Sequence, residues 1–143
     1  MMGNPRALQT HSSEETEQLA AELAATLTAG DVVLLEGELG AGKTTFVRGA
    51  CRALGVRTLV TSPTFTIGQL YPAPVTVAHV DLYRLTALAD EDPDLLADYV
   101  RPDTISFVEW PAAGERQIAA LARDRRRVRI AHAGEDRRTL EIA

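Results

Sequence analysis

Leu19, Leu23 and Leu27 recur every four residues with Ala20 and Ala24 beside them, a spacing that predicts an amphipathic helix. Ser12 or Ser13 stands where an N-cap belongs, and Glu14, Glu15 and Glu17 crowd the first turn, where the helix dipole favours acids. Gly30 is placed to end this helix. Val32–Leu35 then reads "VVLL", the continuous apolar run of a strand buried on both faces. A Gly-rich turn leads into a second predicted helix over Thr44–Leu54, with Gly55 just past its end.

Beyond Gly55 the pattern turns to strands. Thr66–Tyr71 and Val75–Val80 flank Pro72-Ala73-Pro74, which predicts two antiparallel strands joined by a turn. The acidic segment Asp90–Tyr99 is expected to hold a short helix starting near Pro93. Ile105–Val108 is a second apolar run, ending in Glu109-Trp110-Pro111, and Gln117–Leu121 reads as helix. Val128 and Ile130 alternate with polar residues, as do Leu140 and Ile142, with "HAGED" between. That is the pattern of a hairpin, with Arg127 and Arg129 on its open face. No repeat, low-complexity tract or linker interrupts the chain, so residues 1–143 are read as one domain.

Composition narrows the class. With 45% hydrophobic and 24% charged residues among 143, the chain has the make-up of an ordinary soluble globular domain. No apolar run approaches the ~20 residues of a membrane span, and "MMGNPRALQTHSSEE" lacks the apolar block of a secretory signal. A cytoplasmic protein without membrane contact is expected. Cys51 is the only cysteine, which excludes an intrachain disulfide or a cysteine-based zinc site. It reads as a small buried hydrophobe.

Charge bears on partners. Residues 114–143 hold eight Arg against five acids and the rest holds seven basic residues against fifteen, so +3 and −8 give the net −5. Nucleic-acid affinity comes mainly from phosphate neutralisation, so this balance argues against binding RNA unaided. The Arg residues of 123–129 read as a solvated edge.

The chemistry sits in "GELGAGKTTFVRG", Gly37–Gly49. Gly37-x-x-x-x-Gly42-Lys43-Thr44 matches the P-loop pattern, and a buried strand before it with a helix after it is the context that pattern needs. Glycines let backbone N–H groups turn toward phosphate oxygens with no Cβ in the way. The helix that follows points its positive end at the same anion. Lys43 reaches the β- and γ-phosphates and the Thr44 hydroxyl is placed to ligate Mg²⁺. Of fifteen basic residues fourteen are Arg and only Lys43 is Lys. A compact ammonium threads into such a cradle, whereas a planar guanidinium is wider and prefers a fork geometry. The predicted fold is therefore α/β, a P-loop NTPase fold with a mostly parallel central sheet, antiparallel additions and flanking helices.

Three further stretches accompany the loop: "SPTF" at Ser62–Phe65, "HVDLYR" at His79–Arg84 and "VEWP" at Val108–Pro111. In this order and spacing the four motifs resemble the bacterial TsaE family, the ATPase of tRNA threonylcarbamoyladenosine biosynthesis. The resemblance runs from about Thr16 to Trp110 and weakly into the tail. Glu38 stands where the family usually has Asp, and "EDPDLLADYV" lacks a Gly that the family usually carries before an acidic-aromatic pair.

The resemblance implies roles. ATP or ADP would be held by Gly37, Leu39, Gly40, Ala41, Gly42, Lys43, Thr44 and Thr45, with Trp110 near the nucleotide and Arg138 matching a tail arginine that some members place there. Thr64 sits where a switch loop lays a hydroxyl against Mg²⁺ or the γ-phosphate. Asp81 is expected to position the attacking water or to support the metal's ligands from behind. Glu109 follows the strand expected beside the P-loop strand, where such folds carry an acid toward Mg²⁺, and with Thr44 it is the expected metal pair. His79 is read as structural. The catalytic set is thus Lys43, Thr64 and Asp81. The implied function is ATP hydrolysis that supports the transferase subunits TsaD and TsaB, with tRNA met only through that complex.

Two rivals belong to other classes. A GTPase needs an Asn-Lys-x-Asp element, but Asn4 and Lys43 are the only Asn and Lys in the chain. A P-loop small-molecule kinase is the alternative, but it needs an acceptor pocket and usually a lid, and the chain after the loop helix is short for both.

Overall fold

The computed structural model describes residues 6–63, 66–85 and 94–143. One sheet of seven strands organises them. The strands are β1 (Arg6–Thr10), β2 (Asp31–Glu36), β3 (Gly68–Tyr71), β4 (Thr76–Asp81), β5 (Thr104–Glu109), β6 (Asp124–His132) and β7 (Arg138–Ile142). Helices α1 (Ser13–Ala24), α2 (Lys43–Ala53) and α3 (Glu115–Leu121) flank it. The strand order is β1-β7-β6-β2-β5-β4-β3. The central run β6-β2-β5-β4 is parallel, and β3 on one side and β7 with β1 on the other are antiparallel. Among the described residues no helix is long and apolar enough to cross a membrane.

The run "VVLL" is apolar throughout because β2 is covered twice. Val33 and Leu35 pack with α1 and α2, among Phe46, Val47 and Ala50. Val32 and Leu34 pack on the opposite face with Leu96, Val100 and Ile118. Gly49 lets the two helices of the first layer touch: a Cβ there would lie 2.5 Å from both the Cα and the carbonyl oxygen of Glu17.

Local signals place most boundaries. Ser12 is the N-cap of α1, its hydroxyl accepting the Glu15 N–H at 3.1 Å. The helix stops at Ala24, six residues short of Gly30. Short polar side chains recapture the backbone there: Thr26 Oγ1 donates to the Leu23 carbonyl at 2.7 Å and Asp31 Oδ2 accepts the Thr28 N–H at 2.8 Å. Such bonds compete with helical ones. Leu27 still reaches the core.

Other expectations need correction. Residues 94–99 form successive turns and no helix, and Asp90–Pro93 lie outside the described residues. The Tyr99 carbonyl accepts the Thr104 hydroxyl at 2.9 Å, which folds the segment back on β5 and buries Leu96 and Val100. The first antiparallel strand begins at Gly68, two residues after Thr66. β1 was not expected, because "RALQT" carries one large apolar residue, Leu8. Its register is set by β7. The Arg-rich stretch is not an edge, since β6 lies inside the sheet between β7 and β2, although Arg123, Arg125 and Arg129 are solvent-exposed as expected. Arg127 is half-buried and bonded to Glu36 and Glu115, Arg129 meets Glu36 at 2.8 Å, and Arg123 meets Asp31 at 2.7 Å.

Candidate active site

The site forms where the central strands end. β2 ends at Glu36 and the chain turns through Gly37–Gly42 before α2 begins at Lys43. Gly40 and Gly42 take positive φ, 78° and 105°, which L side chains resist. The Lys43 ammonium donates to the carbonyls of Gly37 at 2.5 Å and Glu38 at 2.9 Å. It also lies 4.3 Å from the centroid of the Trp110 ring. Burial lowers its pKa, an effect opposed by the carboxylates of Glu109 and Asp81. The lone lysine is thus held at the centre of its own loop.

The acids arrive from neighbouring strands. β5 lies beside β2, with Glu109 in register with Leu35, and Asp81 of β4 is in register with Glu109. Glu109 is almost fully buried, and its Oε2 is 2.5 Å from Nε2 of the fully buried His79. Asp81 Oδ1 accepts the Tyr83 N–H at 2.9 Å. Burial pushes the Asp81 carboxyl up, the Tyr83 bond opposes that, and nearby Glu109 adds to it.

Trp110 follows β5 directly with left-handed φ 55°, unusual for a bulky residue. The bend brings its ring to 4.9 Å from that of Tyr83, the two planes tilted by 51°. On the far side of the loop, Arg138 opens β7 and donates from Nε to the Ala41 carbonyl at 2.9 Å. Thr44 Oγ1 is 2.8 Å from Ser62 Oγ.

A cavity of about 370 Å³ brings most of the expected residues together. Leu39, Gly40, Gly42, Lys43, Thr44, Thr45, Asp81, Glu109, Trp110 and Arg138 line it, joined by Ser62. Gly37 and Ala41 do not line it; they contribute carbonyls, to Lys43 and Arg138. Thr64 lies outside the described residues. Ser62 takes a larger part than its motif suggested, and His79, read as structural, is fully buried and bonded to Glu109. For His79 the signal was present: it stands two residues before Asp81, on the same face of one strand.

A model of the family described as "Threonylcarbamoyl adenosine biosynthesis protein TsaE" matches residues 10–140. The chain belongs to the TsaE family. The tRNA threonylcarbamoyladenosine biosynthesis protein TsaE of Streptomyces coelicolor is 47% identical over 122 residues, covering 83% of this chain and 80% of that protein. The Bacillus subtilis TsaE is 41% identical over 134 residues, covering 92% and 81%. The crystal structure of Bacillus subtilis YdiB is similar with a TM-score of 0.79 at 34% identity, covering 99% of this chain and 86% of that one. The TsaE match extends through β6 and into β7, well past Pro111, the last residue of the VEWP motif.

Proposed function

We propose that this TsaE-family chain has the P-loop NTPase fold and is a Mg²⁺-dependent ATPase supporting tRNA threonylcarbamoyladenosine synthesis. The observation that carries this is the single cavity in which loop, Lys43, Thr44, Asp81 and Glu109 converge. Backbone N–H groups of the loop and the start of α2 cradle the phosphates. Lys43 exchanges the Gly37 and Glu38 carbonyls for phosphate oxygens, and Trp110 keeps its ammonium from wandering. Arg138 fixes the loop at Ala41. Asp81 orients the attacking water, and Thr64 is proposed to close over the γ-phosphate.

The residues present fit a magnesium ion. Among the described residues no cluster of three or more His, Cys, Asp or Glu could hold a metal. One hydroxyl and one carboxylate facing a common cavity suit an ion that keeps waters and takes phosphate oxygens. Thr44 and Glu109 would hold it, and there it supplies charge neutralisation of the triphosphate.

Hydrolysis serves the partners TsaD and TsaB in the cytoplasm, with tRNA reached through them. The experiment compares ATP hydrolysis by the protein alone, with tRNA, and with the TsaD–TsaB pair. Stimulation by the pair is expected. Stimulation by tRNA alone, with the pair inert, would point instead to a direct RNA-acting enzyme.

A further inference from the structure

His79 has no exposed atom, and the only hydrogen bond of its side chain among the described residues is the 2.5 Å contact to Glu109 Oε2. Its other ring nitrogen, Nδ1, is buried without a hydrogen-bond partner among the described residues. An imidazole with an unpaired buried nitrogen is a costly way to fill a core. Aliphatic residues fill the equivalent inward positions nearby: Val77 on the same strand and Ile105 on the next. What distinguishes position 79 is its reach. His79 and Asp81 share one face of β4, Phe107 and Glu109 share that face of β5, and His79 is in register with Phe107. The imidazole therefore leans one pair along the ladder to meet the carboxylate.

The contact has a chemical consequence. Glu109 lies at the cavity wall almost fully buried, and a carboxylate with no donor on either oxygen is free to rotate about its last bond. With Nε2 donating to Oε2, one oxygen is fixed and the carboxylate plane is set, so Oε1 remains to serve the cavity.

We infer that His79 is a positioning residue for the metal: it orients the Glu109 carboxylate so that its second oxygen meets the cation. This rests on the proposed metal role of Glu109, and the test separates the two. Partners that orient a ligand typically change metal affinity by about 10–100-fold. Mn²⁺ serves as a paramagnetic probe, its binding to the ADP-loaded protein read by electron paramagnetic resonance. Nucleotide affinity without metal is measured in parallel. His79→Leu is expected to weaken Mn²⁺ binding about tenfold or more while metal-free ADP affinity stays near wild type. His79→Gln, whose amide keeps a donor, should recover most of the loss. In a Glu109→Gln background, His79→Leu should weaken Mn²⁺ binding no further.

Full Mn²⁺ affinity in His79→Leu, with Glu109→Gln impaired, would overturn the positioning role and leave the metal reading standing. Full affinity in Glu109→Gln would overturn both. If His79→Leu does not fold, the decision passes to His79→Gln and His79→Asn. Near-wild-type binding by Gln with weakened binding by the shorter Asn supports the inference, and equal behaviour of the two overturns it.

Discussion

The ammonium of Lys43 lies 4.3 Å from the centroid of the Trp110 ring, so the loop's cation rests on an aromatic face carried by the residue that follows β5. Lys43→Ala removes a charge-assisted phosphate contact, and Lys43→Arg replaces a compact ammonium with a wider guanidinium. Both should weaken ATP binding by ~1.5–3 kcal/mol or more while the fold persists. Calorimetric titration checks this; wild-type affinity and turnover in Lys43→Arg would sink the steric argument.

Arg138 makes a second prediction. Its Nε holds the Ala41 carbonyl, and Nη1 donates to the Glu135 and Arg137 carbonyls at 3.0 and 2.9 Å. One side chain thus ties the hairpin turn to the phosphate loop. Arg138→Ala should raise the dissociation constant for ATP about tenfold, equivalent to ~1.4 kcal/mol, with little change in melting temperature. Arg138→Lys should rescue it poorly, because an ammonium lacks the planar fork that spans those carbonyls. Nucleotide titration of the two variants decides.

Gly49 reverses a general rule. In a helix interior Ala is favoured over Gly by ~1 kcal/mol, yet here a Cβ meets the Glu17 backbone at 2.5 Å. Gly49→Ala should therefore lose ~1–3 kcal/mol as α1 is pushed away. Urea unfolding measures it, and a gain in stability would contradict the close helix contact.

Cys51 supplies a pH prediction. Burial pushes its thiol from 9.0 up to about 12. The unfolded chain releases this proton at the lower value, so the native state is favoured by the group below pH 9.0 and loses that advantage as pH climbs toward about 12. Wild-type stability should fall more steeply than that of Cys51→Ala across this window. Parallel slopes in chemical denaturation at graded pH would argue against it.

The phosphate loop was readable because it is local: its glycines, lysine and threonine lie within one turn between a strand and a helix. β2, β4, β5 and the β6–β7 hairpin announced themselves through apolar runs or alternation. β1 could not, since "RALQT" has one large apolar residue and becomes a strand only through β7. The end of α1 depended on side chains of Thr26 and Asp31 taking backbone bonds, which a four-residue period does not register. The roles of Asp81, Glu109 and Arg138 came from resemblance to TsaE proteins, and all three line the cavity. The alternation His79-Val80-Asp81 puts His79 on the Asp81 face, but its pairing with Glu109 crosses 30 positions in sequence and the partner is not legible locally. The Arg run misled for a related reason: its acids, Asp31, Glu36 and Glu115, lie on other elements.

The pairing of β1 with β7 sets the order in which the site can be assembled during synthesis. β1 and the phosphate loop leave the ribosome early, but β1 has no ladder partner until β7 emerges. Arg138, which steadies the loop at Ala41, arrives on that same strand. A nascent chain that already displays Lys43 and Thr44 therefore still lacks the side chain that holds the loop at Ala41. Pairing segments so far apart in sequence is also slow to find, so the loop gains its Arg138 contact late in folding.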